Sequence, residues 1–219
     1  MAVKTYSKAR DGATKLSLHF RVREFASPDS DTVKIDPKLI EILERLYDYL
    51  GCSKIIITSG YRTAAHDRAV GGNGRGYHVK GRAADVNCWR GDSRIHGSEI
   101  CCALQELGWT HGIGWIAGHA VHVDTRTTRY WFDEQNGCRS IGDDWYAYME
   151  AEGHRVPRLL KGDVDGNGTV DSTDARLALQ AAVGKVTLTE KQKIAADMND
   201  DGKVDSTDAR EILQKAVDK

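Results

Sequence analysis

No stretch of the 219-residue chain approaches the run of about 18 apolar residues that a membrane-crossing helix requires, so no membrane span is expected. The first residues, MAVKTYSKARDG, contain no apolar segment of the kind a secretory signal carries, and synthesis in the cytoplasm without a signal peptide is the expectation. Cysteine is sparse and poorly arranged for cross-linking. Cys52, Cys88, Cys101, Cys102 and Cys138 are odd in number, two are adjacent, and none has metal-ligand spacing, which points to reduced thiols and against a disulfide framework. Charge of one sign is missing as well: 31 Lys and Arg stand against 32 Asp and Glu, and nothing here suggests a nucleic-acid partner. The glycine-rich run GGNGRG (71–76) is not followed by Gly-Lys-Ser/Thr and matches no dinucleotide fingerprint. It reads instead as a loop that lets backbone approach a ligand or metal.

What is present is an ordinary globular balance, 40% hydrophobic and 29% charged, enough to bury a core. The charge is unevenly placed, with 23 basic and 20 acidic residues before Gly162 and 8 basic and 12 acidic from there on. Phe20, Val22 and Phe25 form a small apolar cluster in an otherwise polar opening segment. From Pro37, Leu39, Ile40, Ile42, Leu43, Leu46 and Leu50 recur at three- and four-residue spacing and predict a helix stopped by Gly51. KIIIT (54–58) predicts a buried strand, and HGSEICCALQEL (96–107) a second helix with Ser98 as its cap. Trp131, Trp145 and the tyrosines of 127–153 read as packing that closes the domain.

Between these elements lie the residues with metal chemistry. His78 and Asp85 are seven residues apart, with Gly81 to turn the chain between them, and 82–87 reads as a short strand. Alternation puts Ala83, Asp85 and Asn87 on one face of it, so a small neighbour leaves room beside the carboxylate for an ion. The segment WTHGIGWIAGHAVHVDTR predicts two strands turning at Ala117-Gly118; His122 and Asp124 then share a face while Val121 and Val123 enter the core. His122 can supply a third ligand. Two imidazoles and one carboxylate leave a zinc ion one open position for water, the arrangement of a catalytic site.

The series SGYR (59–62), GG (71–72), H-x6-D (78–85) and H-x-D (122–124), with LSLHFRVREF (16–25) ahead of it, resembles the M15 group of zinc peptidases, which includes D-alanyl-D-alanine carboxypeptidases and peptidoglycan peptidases of lysins. The likeness runs from about Leu16 to Trp131. It implies an α+β domain, a small antiparallel sheet with flanking helices, holding one zinc ion on His78, Asp85 and His122. It also implies that Arg62 holds a substrate carboxylate through its planar fork, with Ser59 and Tyr61 beside it. The sequence departs from the family at two places. His119 stands where many members have Asp or Glu, and Gly76 where Ser is common, so the proton-transferring base is either Asp124 or His119, or neither. The implied function is hydrolysis of stem or cross-link peptides of the bacterial cell wall, with lysin-type release from the cell, or secretion if a leader has been trimmed. The alternative is a metal-stabilised binding domain without catalysis.

After a short linker (156–161), the chain repeats itself. Residues 162–185 align with 196–219 at an offset of 34, and VDSTDAR is identical in both copies. In the first, Asp163, Asp165, Asn167, Asp171 and Asp174 occupy positions 1, 3, 5, 9 and 12 of a calcium loop, with Gly168 at 6 and the Thr169 carbonyl at 7. In the second, Asp197, Asn199, Asp201, Asp205 and Asp208 take the same places, with Gly202 and the Lys203 carbonyl. Two calcium ions are expected. Each loop precedes one amphipathic helix, expected to pack through Leu177, Leu179, Ile212 and Leu213. The arrangement resembles the type I dockerin, a small all-α module. The resemblance implies a cohesin-like partner recognised by Ser172-Thr173 and Ser206-Thr207; a different partner, including a second copy, is the alternative. The domain boundaries predicted are 1–155 and 162–219.

Overall fold

The computed structural model describes residues 2–218, which form two compact units dividing between Val156 and Pro157. In the first, β1 (Lys4–Ser7) leads into a short α1 (Lys8–Asp11), and β2 (Thr32–Ile35) pairs antiparallel with β1. Phe20, Val22 and Phe25 of the intervening segment are buried, the last two on a 3-10 turn. Next comes α2 (Pro37–Tyr49). Asp36 caps it by accepting the Lys38 N–H, Pro37 supplies a preset φ at the first turn, and Leu39, Ile40, Ile42, Leu43 and Leu46 are buried. The helix gives way to Gly51 at φ 60°, a conformation that favours glycine.

The rest of this unit is built on a sheet: β3 (Lys54–Ser59), β4 (Ala83–Arg90), β5 (Ser93–Arg94), β6 (Gly112–Ala117), β7 (Ala120–Asp124), β8 (Tyr130–Asp133) and β9 (Arg139–Ser140). Helices α3 (Ala64–Ala69), α4 (Gly97–Glu106) and α5 (Trp145–Ala151) fall between or after them. Among the described residues, these seven strands form one sheet in the order β3-β4-β7-β6-β8-β9, with β5 paired to β4. The sheet is larger than the small antiparallel one expected, and it is mixed. The chain leaves β7 and returns on the far side of β6, so β8 runs parallel to β6. Helix α4 is capped by His96, whose Nδ1 accepts the Ser98 N–H at 3.3 Å, and not by Ser98 itself.

The two faces of the sheet have different chemistry. Ala84, Val86, Cys88, Ile113, Trp115, Val121 and Val123 are buried, and α2 and α4 pack on the sheet. Asp85, Asn87 and Trp89 alternate to the other face, and the register places Asp85 directly opposite His122. Two candidate ligands are thus set side by side by backbone pairing alone.

The second unit contains α6 (Ser172–Ala182), α7 (Glu190–Ala196) and α8 (Ser206–Val217). Its core is Val164, Val170, Ala175, Ala178, Leu188, Ala196, Ala209 and Ile212, with Leu177 packed against it. Leu179 and Leu213 do not join that core. They are 47% and 46% exposed, because Ala175, Ala178, Ala209 and Ile212 occupy the inward stripe of each helix. Among the described residues no helix is long and apolar enough to cross a membrane.

Candidate metal centre

His78, Asp85 and His122 converge on one point. The Asp85–His122 pair comes from the β4–β7 register. His78 arrives on a turn whose carbonyl accepts the Gly81 and Arg62 N–H groups, with Gly81 at φ 69°. His78 Nε2 lies 3.3 Å from Asp85 Oδ1 and 3.2 Å from His122 Nδ1, and that Nδ1 lies 2.8 Å from Oδ1. Ligands about 2.0–2.1 Å from a zinc ion occupy tetrahedral corners roughly 3.3 Å apart, so these three atoms fit three corners.

The opposite side of each group is tied down. His78 Nδ1 donates to the Gly60 carbonyl at 2.7 Å, which leaves Nε2 as the acceptor turned toward the cluster. His122 Nε2 contacts Asp124 Oδ2 at 3.1 Å, a carboxylate–histidine pairing that presents Nδ1. Asp85 Oδ2 accepts from Arg62 Nη2 at 2.8 Å, leaving Oδ1 inward. Burial alone would raise the Asp85 carboxyl, but hydrogen bonds from His122 and His78 outweigh it and hold the group well below the usual carboxylate range. His122 feels the reverse: burial would lower it, while its bonds to Asp124 and Asp85 push it up to about 9.

The residues expected to act around the metal are placed as follows. Arg62 donates through Nε to Ser59 Oγ at 2.7 Å and through Nη1 to Asp67 Oδ1 at 3.3 Å, in addition to its bond with Asp85. Three of its five N–H groups are therefore engaged, and two remain. Ser59 thus supports the arginine, and Tyr61 is buried with its N–H on the Phe25 carbonyl. The glycine-rich loop wraps Asp67, not a metal: Asp67 Oδ2 accepts the Gly74 N–H at 2.8 Å, and a side chain on Gly72 would strike the same carboxylate.

Both candidates for the base are held by other groups. His119 packs at the start of α4, with Nδ1 3.0 Å from the Ile95 carbonyl and its ring 5.5 Å from that of His96. Asp124 lies behind His122 at 0% exposure, and Arg126 grips it through Nε and Nη2. Burial raises the Asp124 carboxyl, but His122 and Arg126 more than offset this and keep it ionised. Among the described residues, no fourth histidine, cysteine or carboxylate joins the cluster.

Several residues that hold the site were not singled out from sequence. Gly112 and Gly114 of β6 face Asp124 and His122 across the ladder. A side chain on Gly112 would overlap the Asp124 carboxylate, and one on Gly114 the ring of Phe132, which lies 5.9 Å from His122. Glycine at alternate positions of a strand is the signal that marks such close approach.

The repeated loops have matching backbones. Asp163 accepts the Gly166, Asn167 and Gly168 N–H groups, and Asp174 those of Val164, Asp165 and Asp171. In the second loop Asp197 accepts from Asp201 and Gly202, and Asp208 from Met198 and Asp205. Asp163, Asp165 and Asp174 oxygens lie within 4.8 Å of one another, a span that one calcium ion with ligands at about 2.4 Å bridges. The second loop offers the Asn199 amide oxygen where the first has Asp165. Asp171 and Asp205 also cap α6 and α8, each within a capping box completed by Asp174 or Asp208. Ser172, Thr173 and Ser206 are exposed at the helix starts, and Thr207 is half-buried.

The family model for peptidase M15 matches residues 15–124, and that for the dockerin type I domain matches residues 161–216. No curated protein and no solved structure matches the chain. The convergent His78, Asp85 and His122 lie inside the first match and both repeated loops inside the second: the chain belongs to the peptidase M15 family and carries a type I dockerin domain.

Proposed function

We propose that the chain is a zinc-dependent peptidase that hydrolyses stem or cross-link peptides of peptidoglycan, and that its dockerin domain attaches it to a cohesin-like protein. The observation that carries the reading is the division of labour in the cluster: Nε2 of His78, Nδ1 of His122 and Oδ1 of Asp85 face one point, while every other polar atom of these side chains is bonded outward. Zinc held there would polarise a peptide carbonyl and lower the pKa of a bound water. The protein's own contribution is orientation. The Gly60 carbonyl and Asp124 fix the two imidazole tautomers, and Arg62 fixes which carboxylate oxygen faces inward. The two remaining N–H groups of Arg62 suit the carboxylate of a stem peptide. In this reading Asp124 orients His122 and does not shuttle the proton, because burial and Arg126 hold it as a fixed anion.

A second reading, a metal-stabilised domain that binds wall peptides without cutting them, is favoured by one feature: among the described residues no further carboxylate or imidazole joins the cluster. The two separate in one experiment. Purified peptidoglycan incubated with the protein is expected to yield new amine and carboxylate ends by mass spectrometry, and His78→Ala is expected to abolish them. Intact walls, together with chelation that changes only the melting temperature, would establish the binding domain. The peptidoglycan reading places the protein at the cell wall, reached by lysin-type release or by secretion.

For the dockerin domain, two calcium ions would occupy the loops from Asp163 and Asp197. Ser172-Thr173 with exposed Leu179 and Val183, and Ser206-Thr207 with exposed Leu213 and Val217, recur at the same offset of 34 and offer two related faces to a cohesin-like partner. Self-association through these faces is the alternative. A chain that sediments as a monomer and is captured by a cohesin, but not after replacement of Ser172, Thr173, Ser206 and Thr207 by alanine, is the expected outcome.

A further inference from the structure

Arg126 lies outside the cluster, yet it contacts a neighbour of each of its two histidines. On one side its Nε donates to both oxygens of Asp124 at 2.8 and 2.9 Å, its Nη2 to Oδ2 and its backbone N–H to Oδ1, and Asp124 in turn holds His122. On the other side its guanidinium lies 4.6 Å from the ring centre of Tyr77, the residue before His78, and 4.6 Å from that of Tyr130. The backbone of the His78 turn bonds within itself, to Arg62, to Asp36 and, where it runs into β4, through the Arg82 carbonyl to the Thr125 N–H. Arg126 adds a side-chain link, nearer His78, between that turn and the end of the strand bearing His122. The contacts need a planar cation: the fork matches a carboxylate edge-on while its faces stack on aromatic rings, which a lysine ammonium cannot do at once.

We propose that Arg126 is a positioning residue that sets the spacing of the two imidazoles, by clamping Asp124 behind His122 and seating Tyr77 beside His78. The proposal rests on the zinc reading of the cluster, and its test distinguishes failure of one from failure of the other. The zinc dissociation constant of the full chain is measured by competition with a chromophoric chelator. Arg126→Gln is expected to weaken binding roughly 10–100-fold, the usual effect of losing an outer partner of a metal ligand. Arg126→Lys is expected to restore little of it, Tyr77→Phe to bind as the parent does, and Tyr77→Ala to weaken binding by itself. If the two contacts act through one arginine, Tyr77→Ala combined with Arg126→Gln falls short of the product of the single effects. Melting of the chelated proteins separates lost affinity from lost folding. Parent-like affinity in Arg126→Lys would overturn the proposal, since charge alone would then suffice, and so would parent-like affinity in Tyr77→Ala. If His78→Ala also leaves affinity unchanged, the zinc site itself is wrong; if only the Arg126 and Tyr77 variants do so, the positioning role alone is lost.

Discussion

His122 shows how a single residue can carry opposite pH dependences in the metal-free and metal-loaded protein. Its value of about 9 lies above the ~6.5 of an imidazole in an unfolded chain. The fold therefore favours the charged ring, a contribution fully present below about pH 6.5 and lost as pH rises through 9. Asp85 and Asp124 are held below their ordinary range, so their contribution is present above about pH 4 and lost on acidification. The chelated protein is expected to melt highest between about pH 4 and 6.5 and progressively lower toward pH 9. Zinc requires the unprotonated Nδ1, so the rise in Tm produced by zinc is expected to grow across that same interval. Calorimetry with and without zinc at four or five pH values checks both trends; a zinc increment that shrinks from pH 6.5 to 9 would contradict the assignment of His122 as a ligand.

At the scale of elements, the site depends on β6 carrying no side chains where it passes beneath Asp124 and Phe132. Gly114→Ala puts a methyl group against a ring that is wedged beside His122, and overpacking of this kind costs about 1–3 kcal/mol. The expected result is a lowered urea midpoint at unchanged slope, with weaker zinc binding because His122 shifts with the ring. Much of the element pattern was legible in advance. The apolar spacing of α2 and the β-branched run of β3 each arise from neighbours along the chain, and local sequence reports both elements, but not the burial expected of β3, which is an edge strand with Ile56 43% exposed. The parallel β8 was not legible, because which side of β6 the chain returns on is settled by how residues 125–129 cross, not by the composition of the strand. The same holds for His119: its place at the start of α4 follows from the turn between β6 and β7.

For the whole molecule, the two units are expected to respond to different ions. Asp163, Asp165, Asp171 and Asp174 gather four carboxylates in one loop, and Asp197, Asp201, Asp205 and Asp208 gather four in the other. Without a cation their repulsion disfavours the compact form. The 219-residue chain in calcium is expected to show two thermal transitions, and a calcium-selective chelator is expected to shift or abolish only the one belonging to residues 157–219, with loss of the helical signal of α6 and α8. A single transition that ignores the chelator would refute calcium-dependent folding. The first unit has its own buried core around α2, α4 and the sheet, and its transition is expected to be unaffected by that chelator.

The sequence by itself determined the chemistry that is local: which side chains can hold a metal, the twelve-position order of each acidic loop, the duplication at 34 residues, and the helices and strands that period and capping dictate. Ligand loops are contiguous, so their geometry is written in consecutive residues. Tertiary structure alone decided what depends on separate segments meeting. Pairing of β4 with β7 set Asp85 against His122, Arg62 came to face Asp85 across 23 positions, Leu179 and Leu213 were left outside the core, and Arg126 was seated between Asp124 and Tyr77. Each of these follows from strand register and packing, which fix where a side chain points only after distant parts of the chain have been brought together.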